Sequence, residues 1–334
     1  MKNYQKKLLV FLGIIVGGLI LCSFLVFNSS RSNEYIFSYS KSSQAKTGEE
    51  NEKPPLNILF LGVAGEGLRG SLLSDSIFIG HINFQKKQIS FLSLPRDLWV
   101  KVPEKNLTTK INGIYALENE GKKISQAKNF NLIKKKVEEV TGLKIDQTIV
   151  FDLEGVEKLI DEIGGIDIWL EKDVYDPNFL NPYNSSQIFY LPAGWRHLDG
   201  ATLVKFIRTR YAPEGDFYRI ANQQQVVSAL KNKLDQLTGV WNLITWFKIW
   251  QSLDGHYLTD LDFSTAWQIL DSVKSINADN IKYLKISNRP PDQLLKSTTI
   301  IDETSGKEIY ILIPAAGFEN YEAIQKYLKE EINE

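Results

Sequence analysis

Stretches with the pattern of β-strands alternate along this chain with stretches of helical periodicity, and that alternation restricts the fold more than any other feature. Asn57-Ile58-Leu59-Phe60-Leu61-Gly62 reads as a short buried strand running into a glycine loop. Residues 76–83 read as a second strand, and residues 88–94 as a third that ends at Pro95. Helical spacing follows at 129–140 and 153–163; Gly164-Gly165 ends the second helix, and 166–170 returns as a strand. Residues 222–237 predict a further long amphipathic helix. This order argues for an α/β(α) sandwich with one central mixed sheet flanked by helices. With 334 residues, 43% of them hydrophobic, the chain can bury one sizeable core or two small ones.

Ahead of that domain lies an uncharged run, residues 8–27, about the ~20 residues that cross a bilayer as a helix. Lys2, Lys6 and Lys7 precede it, so residues 1–7 read as a cytoplasmic tail, 8–27 as one transmembrane helix, and the rest as extracytoplasmic. A cleaved signal peptide is the competing reading, but its apolar region is usually ~7 to 15 residues and ends in small residues. Leu19-Ile20-Leu21-Cys22 resembles a lipoprotein cleavage box only weakly, because Leu21 stands where a small residue is wanted. Residues 28–55, rich in Ser, Asn, Lys and Glu, have the composition of a flexible linker, which leaves 56–334 as the folded domain. Cys22, the single cysteine, lies in the apolar run, so the soluble part holds no internal disulfide. A formal net charge of −1 gives no global attraction to nucleic acid. The short tail is too small to read bases, so no nucleic-acid partner is expected.

Anion binding must therefore come from a local cluster, and the sequence offers one. Arg196, Arg208-Thr209-Arg210, Gly215-Asp216-Phe217-Tyr218-Arg219 and Asn222-Gln223-Gln224-Gln225 crowd four arginines into one stretch. Arginine forks grip phosphate oxygens bidentately, and several converging would repel one another unless a multiply charged anion sat among them. A diphosphate site is the reading; exposed helix arginines are the plain alternative. Gly62-Val63-Ala64-Gly65-Glu66-Gly67-Leu68-Arg69-Gly70 adds backbone donors, although its glycines match neither the dinucleotide fingerprint nor the P-loop. Asp75, opening the second strand, is a candidate Mg²⁺ ligand or a turn residue. Leu94-Pro95-Arg96-Asp97 sets opposite charges at a strand end, facing a cleft or forming a surface ion pair.

Nucleophilic chemistry is poorly served. His81, His197 and His256 are the only histidines, and no Gly-x-Ser-x-Gly elbow is present. His197 reads as structural, and a zinc site lacks ligands. The apolar stripes at 132–140, 156–163 and 226–237 suit core packing better than a lipid pocket. Trp241, Trp246 and Trp250 suit packing better than a membrane or sugar contact.

Seven segments in series resemble the LytR-CpsA-Psr family: Asn57 to Gly62; Ser74-Asp75-Ser76; Ser93-Leu94-Pro95-Arg96-Asp97; Lys110-Ile111-Asn112-Gly113-Ile114-Tyr115; Gly164-Gly165-Ile166-Asp167; Gly194-Trp195-Arg196-His197-Leu198-Asp199-Gly200; and Arg208-Thr209-Arg210 through Gln225. The resemblance implies a membrane-anchored phosphotransferase that moves a glycan from a polyprenyl diphosphate carrier onto peptidoglycan, with Mg²⁺ or Mn²⁺ as cofactor. It implies that Asp75 holds the metal, that Arg96, Arg208, Arg210 and Arg219 bind the diphosphate, and that Gln223 bonds it nearby. Arg69 and Lys110 join the substrate-binding set, and Asp97 either orients Arg96 or serves as a base. Phosphoryl transfer is mostly positioning and charge neutralisation, so this inventory needs no covalent nucleophile.

Three positions depart from the family's pattern. Ala64 stands where an aspartate is usual, leaving Glu66 as the nearest carboxylate; Leu73 and Asn222 each replace an arginine. These losses bear on rate more than on fold. A hydrolase of the carrier diphosphate would use the same residues with water as acceptor, and a non-catalytic carrier-binding or regulatory protein would keep them without turnover. Only product identity separates these alternatives.

Overall fold

The computed structural model describes residues 54–333 except 66–69, 121–123, 125–126, 128, 181–185, 210–225, 227–228, 230–232, 234–247, 249–250, 263–264, 266–268, 270–275, 277–279, 289–292 and 302–305. In chain order the elements are β1 (Leu56–Val63), β2 (Ser74–Asn83), β3 (Gln88–Leu94), β4 (Trp99–Lys101), β5 (Thr108–Lys110), α1 (Gly113–Glu118), α2 (Asn131–Thr141) and β6 (Gln147–Asp152). There follow α3 (Leu153–Glu162), β7 (Ile166–Leu170), β8 (Val174–Leu180), β9 (Ser186–Leu191), β10 (Gly194–Leu198) and α4 (Gly200–Arg208). The last are β11 (Tyr257–Thr259), β12 (Ile281–Lys285), β13 (Leu295–Ile301), β14 (Glu308–Pro314) and α5 (Glu322–Asn333).

The expected central mixed sheet is present, six-stranded in the order β11-β6-β1-β2-β3-β12. β1 pairs antiparallel with β2 and parallel with β6, and β12 joins β3 in parallel. The all-apolar run of β1 is explained by cover on both sides, since successive residues of a strand face opposite ways. Leu59, Leu61 and Val63 join Ile77, Ile79, Leu92 and Leu94 in one cluster with Ile133, Val137 and Val140 of α2 and Ile324, Leu328 and Ile332 of α5. Ile58 and Phe60 join the opposite cluster with Phe78, Ile82, Phe91 and Leu261. Across β1 and β2 the directly opposed rings of Phe60 and Phe78 stack at 4.7 Å, a cross-strand pair that fixes register.

A third cluster gathers α3, β7, β10 and α4 around Leu159, Ile160, Ile168, Leu198, Leu203 and Phe206. The Asp152 side chain caps the start of α3, accepting from the Gly155 amide at 2.8 Å. Gly164 and Gly165, at φ +77° and +72°, turn the chain out of α3 in the left-handed region, as the sequence predicts. Helices α3 and α4 cross so closely that a Cβ on Gly200 would overlap the Glu157 carbonyl oxygen. Gly200→Ala is therefore expected to destabilise the protein by roughly 1–3 kcal/mol, read as a lower urea midpoint at unchanged slope.

The apolar stripes of 132–140 and 156–163 divide between two clusters, so they pack core rather than line one pocket. Helix α2 begins at Asn131, two residues after the predicted start, because Phe130 is the residue out of helical conformation there. Of the predicted helix at 222–237, Val226, Ala229 and Lys233 are described, and each is helical. Residues 8–27 and the linker up to 53 lie outside the described residues, as do Trp241, Trp246 and Trp250. Among the described residues no helix is long and apolar enough to cross a membrane.

Candidate functional site

The pairings of the central sheet bring four separated segments to one edge. β1 and β6 end there in parallel, β2 begins there opposite them, and β3 runs out into Pro95, Arg96 and Asp97. In register, Val63 lies between Asp152 of β6 and Ser74 of β2. The glycine loop leaves β1 over this edge. Its described part closes through the Gly65 amide on the Ser71 carbonyl at 3.0 Å, with Gly65 at φ +99°, a backbone state that favours glycine.

Asp75, Arg96, Asp97 and Lys110 form a line of alternating charge at this edge. Arg96 Nη1 donates to Asp75 Oδ1 at 2.8 Å, Arg96 Nε stands 3.6 Å from Asp97 Oδ2, and Lys110 Nζ donates to Asp97 Oδ1 at 2.6 Å. All four side chains meet solvent, between 26% and 48% exposed. Half-exposed pairs of this kind contribute about 0–1 kcal/mol each to stability, so holding three of them at strand ends is a poor stabilising device. It leaves a donor spare: among the described residues nothing takes up Nη2 of Arg96. That part of the guanidinium fork is available to an incoming phosphate oxygen. Asp97 stands beside Arg96 Nε while also accepting from Lys110.

Asn112 belongs to this cluster and was not among the expected residues. Nearly buried, it extends Nδ2 to 3.4 Å from Asp75 Oδ1. Its carbonyl accepts from the Ser74 amide at 3.0 Å and hydroxyl at 3.2 Å, and its amide lies 3.4 Å from the Arg96 carbonyl. It thus ties Asp75 to Arg96 through the backbone. An asparagine directly before the glycine that opens α1 was the available signal, since such a residue often caps or braces a helix start.

The arginine-rich stretch divides differently. Arg208 closes α4, with its guanidinium 5.4 Å from the centre of the Phe179 ring, and the Thr209 hydroxyl beside it donates to buried Asp176 at 2.6 Å. Arg196 is turned back on the segment that leads into β10, donating to the carbonyls of Pro192 at 2.7 Å and Ala193 at 2.5 Å. It therefore holds a turn, and the first reading of it as part of the anion cluster is corrected. His197 pairs with Asp167 at 2.8 Å on the exposed face of the antiparallel β7–β10 pair and packs on Gly165, a structural place. Arg69, Arg210, Arg219 and Gln223 lie outside the described residues, as do Glu66 and Asn222. Among the described residues there is no group of three or more His, Cys, Asp or Glu side chains that could hold a metal ion.

Comparison with known proteins adds a family match and several relatives. The LytR_cpsA_psr family model matches residues 23–311. The polyisoprenyl-teichoic acid–peptidoglycan teichoic acid transferase TagV of Bacillus subtilis (strain 168) is 26% identical over 243 residues, 71% of this chain and 57% of that protein. The regulatory protein MsrR of Staphylococcus aureus (strain COL) is 32% identical over 182 residues, 54% of this chain and 49% of its own length. The chain thus spans about half the length of these relatives. Among solved structures, B. subtilis TagV superposes with a TM-score of 0.55 at 22% identity, covering 85% of this chain and 99% of that one. TagT bound to LI-WTA superposes with a TM-score of 0.54 at 19% identity, covering 86% and 93%. At these identities the superpositions establish a shared fold.

Proposed function

This chain belongs to the LytR_cpsA_psr family, and on that premise we propose that it transfers a phosphate-linked glycopolymer from a polyprenyl diphosphate carrier to peptidoglycan. The observation that carries the reading is the line Asp75, Arg96, Asp97 and Lys110 at the edge where the glycine loop leaves β1. Fixed cations at this strand end neutralise the charge that spreads over the phosphoryl oxygens as the bond to the carrier breaks. Arg96 binds the diphosphate, Lys110 and Asp97 hold its guanidinium in place, and Arg208, with Arg69, Arg210, Arg219 and Gln223, extends the anion contacts. Residues 8–27 anchor the chain in the cell membrane, with the domain on the extracytoplasmic side.

Mg²⁺ suits the described residues in one specific way. Asp75 is a single exposed carboxylate held by Arg96 and Asn112, which makes no protein cage. Mg²⁺ keeps several waters and is commonly held by one or two carboxylates plus substrate phosphates, so Asp75 would hold it together with diphosphate oxygens. Bound there, it would supply further neutralisation of the phosphoryl charge. Ala64 directly follows Val63, which pairs with Ser74, and so adjoins the strand of Asp75. Ala64→Asp is expected to raise Mg²⁺ affinity roughly tenfold in titration calorimetry by adding ligand charge. Unchanged affinity would assign the rest of the shell to other oxygens.

The test gives the full-length chain in lipid nanodiscs a fluorescent disaccharide on polyprenyl diphosphate, Mg²⁺ and peptidoglycan fragments, and identifies products by mass. Glycan phosphate joined to the fragments is the expected product. Release of free phosphate or lipid monophosphate without joining would replace the transferase by a hydrolase, and binding without turnover would replace it by a carrier-binding protein.

A further inference from the structure

Beside the glycine loop lies a second set of titratable groups that the Asp75–Arg96 cluster does not use. Asp152, almost wholly buried at the end of β6, has both carboxylate oxygens 3.1 Å from Nδ1 of His256. Its amide donates to the His256 carbonyl at 3.2 Å. Nε2 of His256 lies 2.7 Å from Lys158 Nζ and 3.6 Å from Glu154 Oε1, and Lys158 reaches Glu154 at 2.9 Å. An ammonium only donates, so Nε2 is the accepting nitrogen and Nδ1 carries the hydrogen given to Asp152. Packing enforces the pair: a Cβ on Gly155 would stand 2.9 Å from that of His256, and one on Gly65 would stand 3.1 Å from that of Asp152.

Sheet register places this pair on the edge of the site. Tyr257 pairs with Phe151, and Asp152 pairs with Val63, whose other neighbour is Ser74. The edge therefore runs His256, Asp152, Gly65, Asp75, Arg96 across β11, β6, β1, β2 and β3. At ~4.8 Å per strand, the backbone of His256 stands about 14 Å along it from that of Asp75.

We propose that His256, oriented by Asp152, accepts the proton of the incoming acceptor hydroxyl, an inference that rests on the transferase reading above. Asp97, the base offered by the sequence, is already taken as acceptor by Lys110 and Arg96. In the step, Lys158 moves from Nε2 wholly onto Glu154 and the acceptor O–H takes its place. The acceptor oxygen bonds to phosphorus as its proton passes to Nε2. The bond from phosphorus to the carrier's phosphate oxygen breaks, and its electron pair leaves on the polyprenyl monophosphate. The imidazolium so formed lies between Asp152 at Nδ1 and Glu154 at Nε2; with Lys158, these are the charged groups that face it among the described residues. Burial pushes the Asp152 carboxyl up, while the Gly155 amide and His256 pull it down, and the Lys158 hydrogen bond holds Glu154 below its ordinary value.

The experiment compares the wild-type full-length chain with His256→Gln and Asp152→Asn from about pH 5 to 9 in the nanodisc transfer assay, alongside calorimetric binding of inorganic pyrophosphate. Transfer by His256→Gln is expected to fall roughly 10²-fold or more and to lose the acid limb of the kcat profile, while pyrophosphate binding is unchanged. Asp152→Asn, which removes the carboxylate charge that faces Nδ1, is expected to lower the rate and displace that limb. Wild-type rate and acid limb in His256→Gln would overturn the proposal, as would loss of pyrophosphate binding together with transfer, which would make the pair structural. A wild-type chain that binds pyrophosphate and transfers nothing would sink the transferase reading itself, and this role with it.

Discussion

Arg96→Ala is expected to weaken binding of inorganic pyrophosphate by roughly 30- to 160-fold while leaving the urea midpoint almost unmoved. The binding loss follows from what the guanidinium does. Among the described residues Arg96 is the one arginine placed between Asp75 and Asp97, and without it these two carboxylates keep Lys110 as their close described cation. A charge-assisted hydrogen bond is worth about 1.5–3 kcal/mol, and a loss of 2–3 kcal/mol gives the quoted factor. Stability barely changes because the side chains of Arg96 and Asp75 are 40% and 48% exposed, where an ion pair contributes about 0–1 kcal/mol. Arg96→Lys separates charge from geometry: the ammonium restores a cation but cannot present a fork, so partial recovery is expected. Calorimetry against pyrophosphate decides it. Wild-type affinity in Arg96→Ala would remove this edge from the anion site and shift the role to Arg208 and the arginines that follow it.

The parts of the fold that were legible in the sequence are those whose pattern is local. β1 could be read because Ile58 and Phe60 pack on one face and Leu59, Leu61 and Val63 on the other, so the run from Ile58 to Leu61 is apolar on both faces. The end of α3 could be read because two consecutive glycines leave few alternatives to a helix stop. The strands that complete the sheet were not legible. β11 has three residues, and β12 pairs with β3 from the far end of the chain, so neither carries periodicity that points to its partner. The same division runs through the site. Asp75, Arg96 and Asp97 sit at the ends of strands readable from the sequence and Lys110 in a short motif, whereas the bond of His256 to Asp152 joins residues 104 positions apart. Arg196 shows the converse: closeness in sequence to Arg208 suggested a shared anion, but its Nε and Nη2 donate to the turn just before it.

Lys136→Met is expected to be the most destabilising single substitution considered, at about 3 kcal/mol or a drop of roughly 6–12 °C in Tm. The Lys136 side chain, only 2% exposed on α2, sits 2.5 Å from Glu139 and 3.0 Å from Glu319, with the Tyr321 ring centre 5.8 Å away. Glu319 also accepts from the Lys101 amide at 2.9 Å and the Tyr321 hydroxyl at 2.7 Å, so this cluster ties α2, β4 and the segment before α5 together. Methionine keeps the apolar stem and removes the charge, leaving two carboxylates without their cation, which is the costly way to break a buried pair. The pH dependence gives the mechanism a signature. Burial pushes the Glu319 carboxyl up, but the Tyr321 hydroxyl, the Lys101 amide and Lys136 outweigh it and hold the group below its ordinary value. Its stabilising contribution is therefore complete above the unfolded carboxyl range and is lost as pH falls through the folded value. In Lys136→Met burial meets less opposition, Glu319 takes up its proton at a higher pH, and the deficit relative to wild type shrinks on acidification below about pH 5. Urea titrations at neutral and acid pH measure that gap. A constant gap would mean the loss is packing, whereas recovery of most of it in Lys136→Met combined with Glu319→Gln would assign it to the uncompensated carboxylate.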